Sequence, residues 1–326
     1  MLHRLKVSVL LTSLLLVGGT SAPAQTFPTP NRSITIVVGF PAGGAHDIMG
    51  RALAQELTKE LGTSVIIENR PGAGGAVSVQ TVARAEPDGH TLLFNNLSEL
   101  AVRQAAAKVP YDLDRDLVPI SLVGVTPIVL VVHNSVPVQT LAEFKAFARS
   151  RPEAVIYGIP GVGTMQHFAG EALRVKLDVP MKPLTYRGGA PLANDLAGGH
   201  VTVGMSGLPP LLPLLQAGTV RLIATSSIER SKLTPDVASF AEAGVGGVDI
   251  ANYVGLAAPK TTPTTVLQKL EAATLAACKS PTLEATFKHS VSSVIGSTAA
   301  EYKAFIDRER AQHRELIHVT NFKISE

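Results

Sequence analysis

The run VPISLVGVTPIVLVV, residues 118 to 132, carries fifteen residues without a charge and is interrupted by Pro127. A strand of a single sheet is usually about five or six residues long, so this run reads as the chain passing from one domain into another. A second apolar run, YVGLAAP at 253–259, reads as the return. Two crossings build one domain from both ends of the chain. The expected division is residues 25–125 with 253–326 as the first domain, and 126–252 as the second. The length agrees, because 302 residues beyond a 24-residue leader exceed the usual size of one core.

Between these runs, short β-rich stretches alternate with helical patterns, which argues for α/β layers with largely parallel strands. Residues 34–38 (ITIVV) are followed by a helix with Met49, Leu53 and Leu57 on one face. Further strands are expected at 64–68, 90–94, 155–157, 183–186, 201–205 and 222–225, with helices between them. Thr140-Leu141-Ala142-Glu143 is a capping box that opens a helix, and helices are expected at 263–277 and 299–318. His313 and His318 are read as solvated positions of the last one.

The leader is His3, Arg4 and Lys6, an apolar run from Val7 to Val17, and Ala22-Pro23-Ala24. This is the pattern of a secretory signal cleaved after Ala24. The apolar part is too short for a membrane span, which needs about 20 residues, and no cysteine follows it to carry a lipid. Residues 1–24 therefore read as a signal peptide and the protein as periplasmic. Removing them lowers the formal charge from +3 (29 − 26) to +1 (27 − 26). No basic block suggests a nucleic-acid partner. The single cysteine, Cys278, permits no internal disulfide and reads as a structural thiol.

Four glycine turns stand at strand–helix junctions: GFPAGGAHD (39–47), NRPGAGGA (69–76), GIPGVGTMQH (158–167) and YRGGAP (186–191). The first turn of a helix leaves N–H groups unpaired and carries partial positive charge, so it seats phosphate or carboxylate. No GxxxxGK[ST] or complete GxGxxG occurs, which disfavours nucleotides, and carboxylate is the better candidate. No GxSxG or HExxH occurs, and no pair of histidines has helical metal-ligand spacing, so no cofactor or metal is expected. A secreted α/β hydrolase using Asp47, His46 and His167 is the enzyme alternative. It would need an activated nucleophile that the sequence does not display.

Seven stretches in order then carry a family resemblance: GFPAGGAHDIMGRALAQEL, VIIENRPGAGGAV, EPDGHTLLFNN, VPYDLDRDLVPISLVG, YGIPGVGTMQH, LTYRGGAPLANDLAGGHV and SSIERSKLTPDVASFAEAG. The chain resembles the periplasmic solute-binding proteins of tripartite tricarboxylate transporters, also called the Bordetella-uptake-gene family. The resemblance implies a two-domain periplasmic-binding-protein fold of the Venus-flytrap type (type II) with two crossover strands. It also implies a ligand carboxylate held by the turns at 40–47 and 161–167, partly through water. The cargo would pass to a large and a small membrane subunit, or the receptor, acting as a monomer, would signal to a sensor kinase, with no chemistry performed.

Phe40, Ala42, Gly43, Gly44 and Asp47 match the family's first ligand loop, and Gly161, Gly163, Thr164, Gln166 and His167 the second. Val162 and Tyr186 lie beside these turns and complete the expected site. Several positions depart from the family pattern. His46 replaces a small hydroxyl residue, and Met165 a serine. Asn95, Asn96 and Ser98 lie in a stretch that is commonly Gly/Ser/Thr-rich and lines the cleft. Met205 and Ser206 stand where many members have an aspartate suited to a ligand amino group. An amino-acid ligand is thereby disfavoured, and with Phe40 and Met205 flanking the site an aromatic carboxylate such as terephthalate or nicotinate is expected.

Overall fold

The strand–turn–helix alternation is realised in the computed structural model, which describes residues 26–151, 153, 155–227, 230, 234–246, 248, 250–320, 322 and 324. The leader at 1–24 lies outside the described residues. The chain begins with β1 (Ile34–Val38), α1 (Ala45–Leu61), β2 (Val65–Asn69), α2 (Ala76–Ala83), β3 (Thr91–Asn95), α3 (Leu97–Ala106) and α4 (Leu113–Asp116). The long strand β4 (Leu117–His133) follows, then α5 (Leu141–Arg149), β5 (Val155–Ile159), α6 (Met165–Leu177) and β6 (Met181–Thr185). After these come α7 (Gly189–Ala197), β7 (Val203–Gly207), α8 (Leu212–Gln216) and β8 (Val220–Thr225). The return strand β9 (Ala251–Pro259) leads to α9 (Thr264–Cys278), α10 (Pro281–His289), β10 (Ser293–Val294) and α11 (Ala299–Thr320).

The apolar run that opened the sequence reading is one strand serving two sheets. From Leu117 to Pro127, β4 pairs antiparallel with β9. From Ile128 onward it pairs with β7 on one side and β8 on the other. Register shifts between Pro119 and Ser121, Leu122 and Gly124, and Leu130 and Val131 bend it along the way, as bulges do. The full order is β2-β1-β3-β9-β4-β7-β5-β6, with β10 and β8 also on β4. Strands are parallel only within each lobe, where helices supply the crossovers: β1 with β2 and β3, β5 with β6 and β7. The crossing strands are antiparallel to their neighbours, so the sheet is mixed rather than largely parallel.

The periodicity of α1 does what it promised. Met49, Leu53 and Leu57 are fully buried against β1, β3 and α9. Thr140 Oγ1 accepts the Glu143 N–H at 3.2 Å and caps α5. Cys278 is half-buried, and burial pushes its thiol up to about 11.

Two features of the C-terminus depart from the sequence reading. Phe322 and Ile324 pack into the core of the second lobe, with Phe168 and Met165, although residues 253–326 are read with the first. The last helix therefore straddles both lobes. His313 is 2 % exposed and not solvated, with its ring edge-on to Phe168 at 5.3 Å. The reason is that α11 docks on α6 and α3, and burial pulls the His313 imidazole down to about 4. His318 is exposed, as expected.

Candidate functional site

The carboxyl ends of β1, β5 and β6 meet where the two lobes face each other. Their loops narrow to a waist at Pro41 and Gly188. A Cβ on Gly188, whose φ is +120°, would lie 3.3 Å from Pro41 Cγ, so glycine permits this approach. A cavity opens on each side of the waist, and Phe40, Pro41, Pro160 and Gly188 line both. The smaller, of about 40 Å³, is bounded by the first turns of α1 and α7 together with Gln166, Ser206, Gly207 and Pro210. The larger, of about 450 Å³, is bounded by residues 71–75, 160–162, Thr164, Tyr186 and Arg187. Arg187 is the one formal positive charge on either wall.

Which helix mouths are open follows from their caps. In α3, α4, α5, α6 and α10 a side chain of the N-cap residue (Asn96, Asp112, Thr140, Thr164, Ser280) accepts a first-turn N–H. In α1, α2 and α7 the N-cap is Gly44, Gly75 or Gly188, and no side chain caps the turn. Two of these bare mouths, α1 and α7, line the same small cavity. They present backbone donors and the positive end of two helix dipoles to one space.

The α6 mouth is different. Thr164 Oγ1 accepts the His167 N–H at 3.3 Å, His167 Nδ1 accepts the Gly163 N–H at 3.2 Å, and Glu99 Oε2 accepts the Met165 N–H at 2.9 Å. Glu99 comes from α3 of the other lobe, and Arg103, one turn along, donates to the Val162 carbonyl. The Met165 N–H at the α6 mouth is thus taken by the protein's own carboxyl group. Glu99 is 1 % exposed. Burial raises its carboxyl to about 7, while the Met165 N–H and the Arg103 charge pull the other way.

The first loop is braced from behind. Gly43 adopts φ +81°, and its N–H donates to Asp47 Oδ2 at 2.9 Å. Arg51 Nε reaches the same oxygen at 3.1 Å, and Asn69 Nδ2 donates to Asp47 Oδ1 at 3.0 Å and to the Phe40 carbonyl at 3.0 Å. Burial alone would raise the Asp47 carboxyl, but the bonds from Arg51, Gly43 and Asn69 outweigh it and hold the group low. His46 stacks on Phe40 with centroids 4.3 Å apart. Burial brings its imidazole down to about 4, so at neutral pH it is an uncharged ring.

Of the residues expected from the sequence, Phe40, Ala42, Gly44, His46, Gln166 and Ser206 line the smaller cavity, and Phe40, Gly161, Val162, Thr164 and Tyr186 the larger. Eight line neither. Gly43, Asp47, Gly163 and His167 shape the turns from behind. Asn95 is buried, bonding Ser78 Oγ and the Asn96 N–H, and Asn96 caps α3. Ser98 is buried in α3. Met205 belongs to the core of the second lobe. Alternation along β7 sends Met205 inward and its neighbour Ser206 to the cavity, so Met205 cannot flank a ligand there. The turn at 186–191 is among the four read from the sequence, but only Tyr186 of it belongs to the expected site; Gly188 to Pro191, and Gly207 and Pro210, line the smaller cavity and are not among the residues expected there. The signal was present as Gly188-Gly189 with no capping side chain ahead of a helix.

A family model for "Tripartite tricarboxylate transporter family receptor" matches residues 49–322. BugT of Bordetella pertussis is 30 % identical over 309 residues, covering 94 % of this chain and 95 % of its own. Among solved structures, an R. palustris protein with adipate superposes with a TM-score of 0.85 at 28 % identity, over 90 % of this chain and 98 % of that one. MatC from Rhodopseudomonas palustris with bound malate gives a TM-score of 0.81 at 27 % identity, over 88 % and 99 %.

Proposed function

From the premise that the chain belongs to the tripartite tricarboxylate transporter family of receptors, we propose that it captures a small organic carboxylate between its lobes and hands it to the large and small membrane subunits of a transporter. The observation that carries this is the pair of bare helix mouths, α1 behind Gly44 and α7 behind Gly188, on one cavity. Anions are stabilised at such mouths by unpaired N–H groups and the helix dipole. Ser206, whose Oγ is 3.9 Å from where a Gly189 Cβ would stand, and Gln166 add side-chain donors.

Phe40 stacked on His46 and the rings of Pro41, Pro160, Pro191 and Pro210 give the ligand's body an apolar seat. The two R. palustris relatives hold adipate and malate, both small organic carboxylates. We retain an aromatic dicarboxylate such as terephthalate as a candidate, now on the strength of the ring stack rather than Met205. The lobes would be residues 25–125 with 253 onward, and 126–252, closing by flexure of β4 and β9, with the end of α11 following the second lobe. Two of the three residues of the hydrolase alternative are spent on structure: Asp47 braces the first turn and His167 Nδ1 accepts an N–H, which leaves His46 without an acid–base partner among them. We therefore assign no reaction, and place the protein in the periplasm after loss of its leader.

The test is thermal-shift screening against adipate, malate, terephthalate and nicotinate, because a ligand of the folded state raises its stability. Gly44→Asp is the control. Gly44 has extended backbone, φ −80° and ψ 169°, and a Cβ there meets only the Pro41 carbonyl at 3.5 Å. The new carboxylate would cap α1, stabilise the apo protein by roughly 0.5 kcal/mol and abolish the ligand-induced shift. Ligand shifts that survive in Gly44→Asp would remove the α1 mouth from the site.

A further inference from the structure

We propose that the carboxamide of Asn252 is the polar floor of the cleft and selects a carboxylate that carries a hydroxyl group. This deepens the carboxylate reading above and rests on it. Asn252 lies on β9 opposite Thr126 of β4, where both strands pass between the lobes. It is fully buried, and neither Oδ1 nor Nδ2 has a hydrogen-bond partner. The large majority of buried side-chain polar atoms are paired, and an unpaired one costs free energy. A group that leaves both ends of an amide unpaired beside a ligand cleft is shaped for an occupant.

The position relative to the cleft is set by Gly207. A Cβ there would stand 3.1 Å from Asn252 Nδ2 and 3.8 Å from Ala45 Cβ. Gly207 and Ala45 both line the smaller cavity, so the carboxamide stands directly behind that part of the wall, with no side chain at 207 between them. His46, next to Ala45 on α1, also lines this cavity, and its Nε2 is buried without a partner. The other hydroxyls nearby are engaged with each other: Thr126 Oγ1 and Ser292 Oγ are 2.8 Å apart.

Chemistry then narrows the occupant. An amide offers one donor face and one acceptor face, whichever way round it is oriented. A carboxylate oxygen would satisfy Nδ2 but set a negative charge against Oδ1. A hydroxyl accepts from Nδ2 and donates to Oδ1, satisfying both. The ligand's carboxylate stays at the α1 and α7 mouths, and its hydroxyl reaches the floor.

Isothermal titration with three matched pairs tests this: malate and succinate, 2-hydroxyadipate and adipate, 4-hydroxybenzoate and benzoate. In the wild type the hydroxylated member of at least one pair is expected to bind tenfold or more tightly than its partner. Asn252→Ala removes no internal hydrogen bond, and Asn252→Ser stands in should the alanine variant fail to fold. In either variant the preference should fall to within twofold, with the affinity for the unhydroxylated member kept. Equal affinities within every bound pair in the wild type, or a preference that survives in the variants, overturn the assignment and leave the receptor reading standing. If none of the six binds, the carboxylate reading falls and this one with it.

Discussion

Glu99 makes a prediction whose size can be worked from its surroundings. Its carboxyl is 1 % exposed, caps the Met165 N–H of the opposite lobe and leaves Oε1 without a partner. Burial, the largest influence, raises it from 4.5 to about 7. At 1.36 kcal/mol for each pH unit, folding destabilises the ionised form by about 3 kcal/mol. The sign follows from proton counting. Between pH 4.5 and 7 the folded protein keeps a proton that the unfolded chain has released, so stability falls as pH rises through this window and levels off above it.

Glu99→Gln removes the titration while its Oε1 can still accept the Met165 N–H. The variant and the wild type should differ by a constant amount below pH 4.5. Above it the variant should gain steadily, reaching about 3 kcal/mol, or on the order of 5 °C in melting midpoint, by pH 8. His46 and His313, both brought down to about 4 by burial, destabilise both proteins alike on acidification and cancel in the difference. Melting curves of the two proteins at pH 4.5, 6, 7 and 8 measure it. A difference that does not change with pH would refute the argument that Glu99 is buried at cost. Carboxylate affinity at pH 7 should be the same in both, since the α6 mouth is already filled.

Asp47→Asn keeps the shape of the first-turn brace but loses the charge that Arg51, Gly43 and Asn69 hold. It should cost about 1–2 kcal/mol at neutral pH. Because the native Asp47 carboxyl is held low, the cost should shrink only as pH falls below about 3.8, which urea unfolding at pH 7 and pH 3 would check. Ligand affinity should stay flat from pH 8 to pH 5.5, because His46 is uncharged throughout; a gain in affinity on acidification, centred near 6.5 in titration calorimetry, would mean that the ring takes up its proton in the cleft.

Much of the fold is legible because local chemistry and tertiary structure agree. The periodic faces of α1 and the uncharged run through β4 each have one way to be buried, and the capping box at 140–143 forms as written. What escapes is decided by partners distant in sequence. Asn95, Asn96 and Ser98 read as cleft-lining positions, although Asn96 followed by Glu99 is a helix start signal and the stretch opens the buried α3. His313 looks solvated on a polar helix until α6 covers it. Met205 and Ser206 are one residue apart on a strand, and only the pairing of β7 with β4 and β5 decides which of them faces the cavity.

The same division separates the glycine turns, and it makes the site narrower than their shared appearance. All four offer flexible backbone at a helix mouth, yet an anion needs donors that nothing else has taken. Thr164 opens α6 with its own hydroxyl, and Glu99 arrives across the lobe boundary to take the Met165 N–H. A ligand carboxylate there would have to displace a carboxyl already in place. Gly44 and Gly188 carry no side chain that could compete, and the neighbouring Asp47 is held by Gly43, Arg51 and Asn69. A glycine N-cap leaves a mouth open where threonine closes it, and of the three glycine-capped mouths only α1 and α7 share one cavity. The α6 turn joins the lobes through Glu99 and Arg103, and under the proposed function α1 and α7 would grip what comes between them.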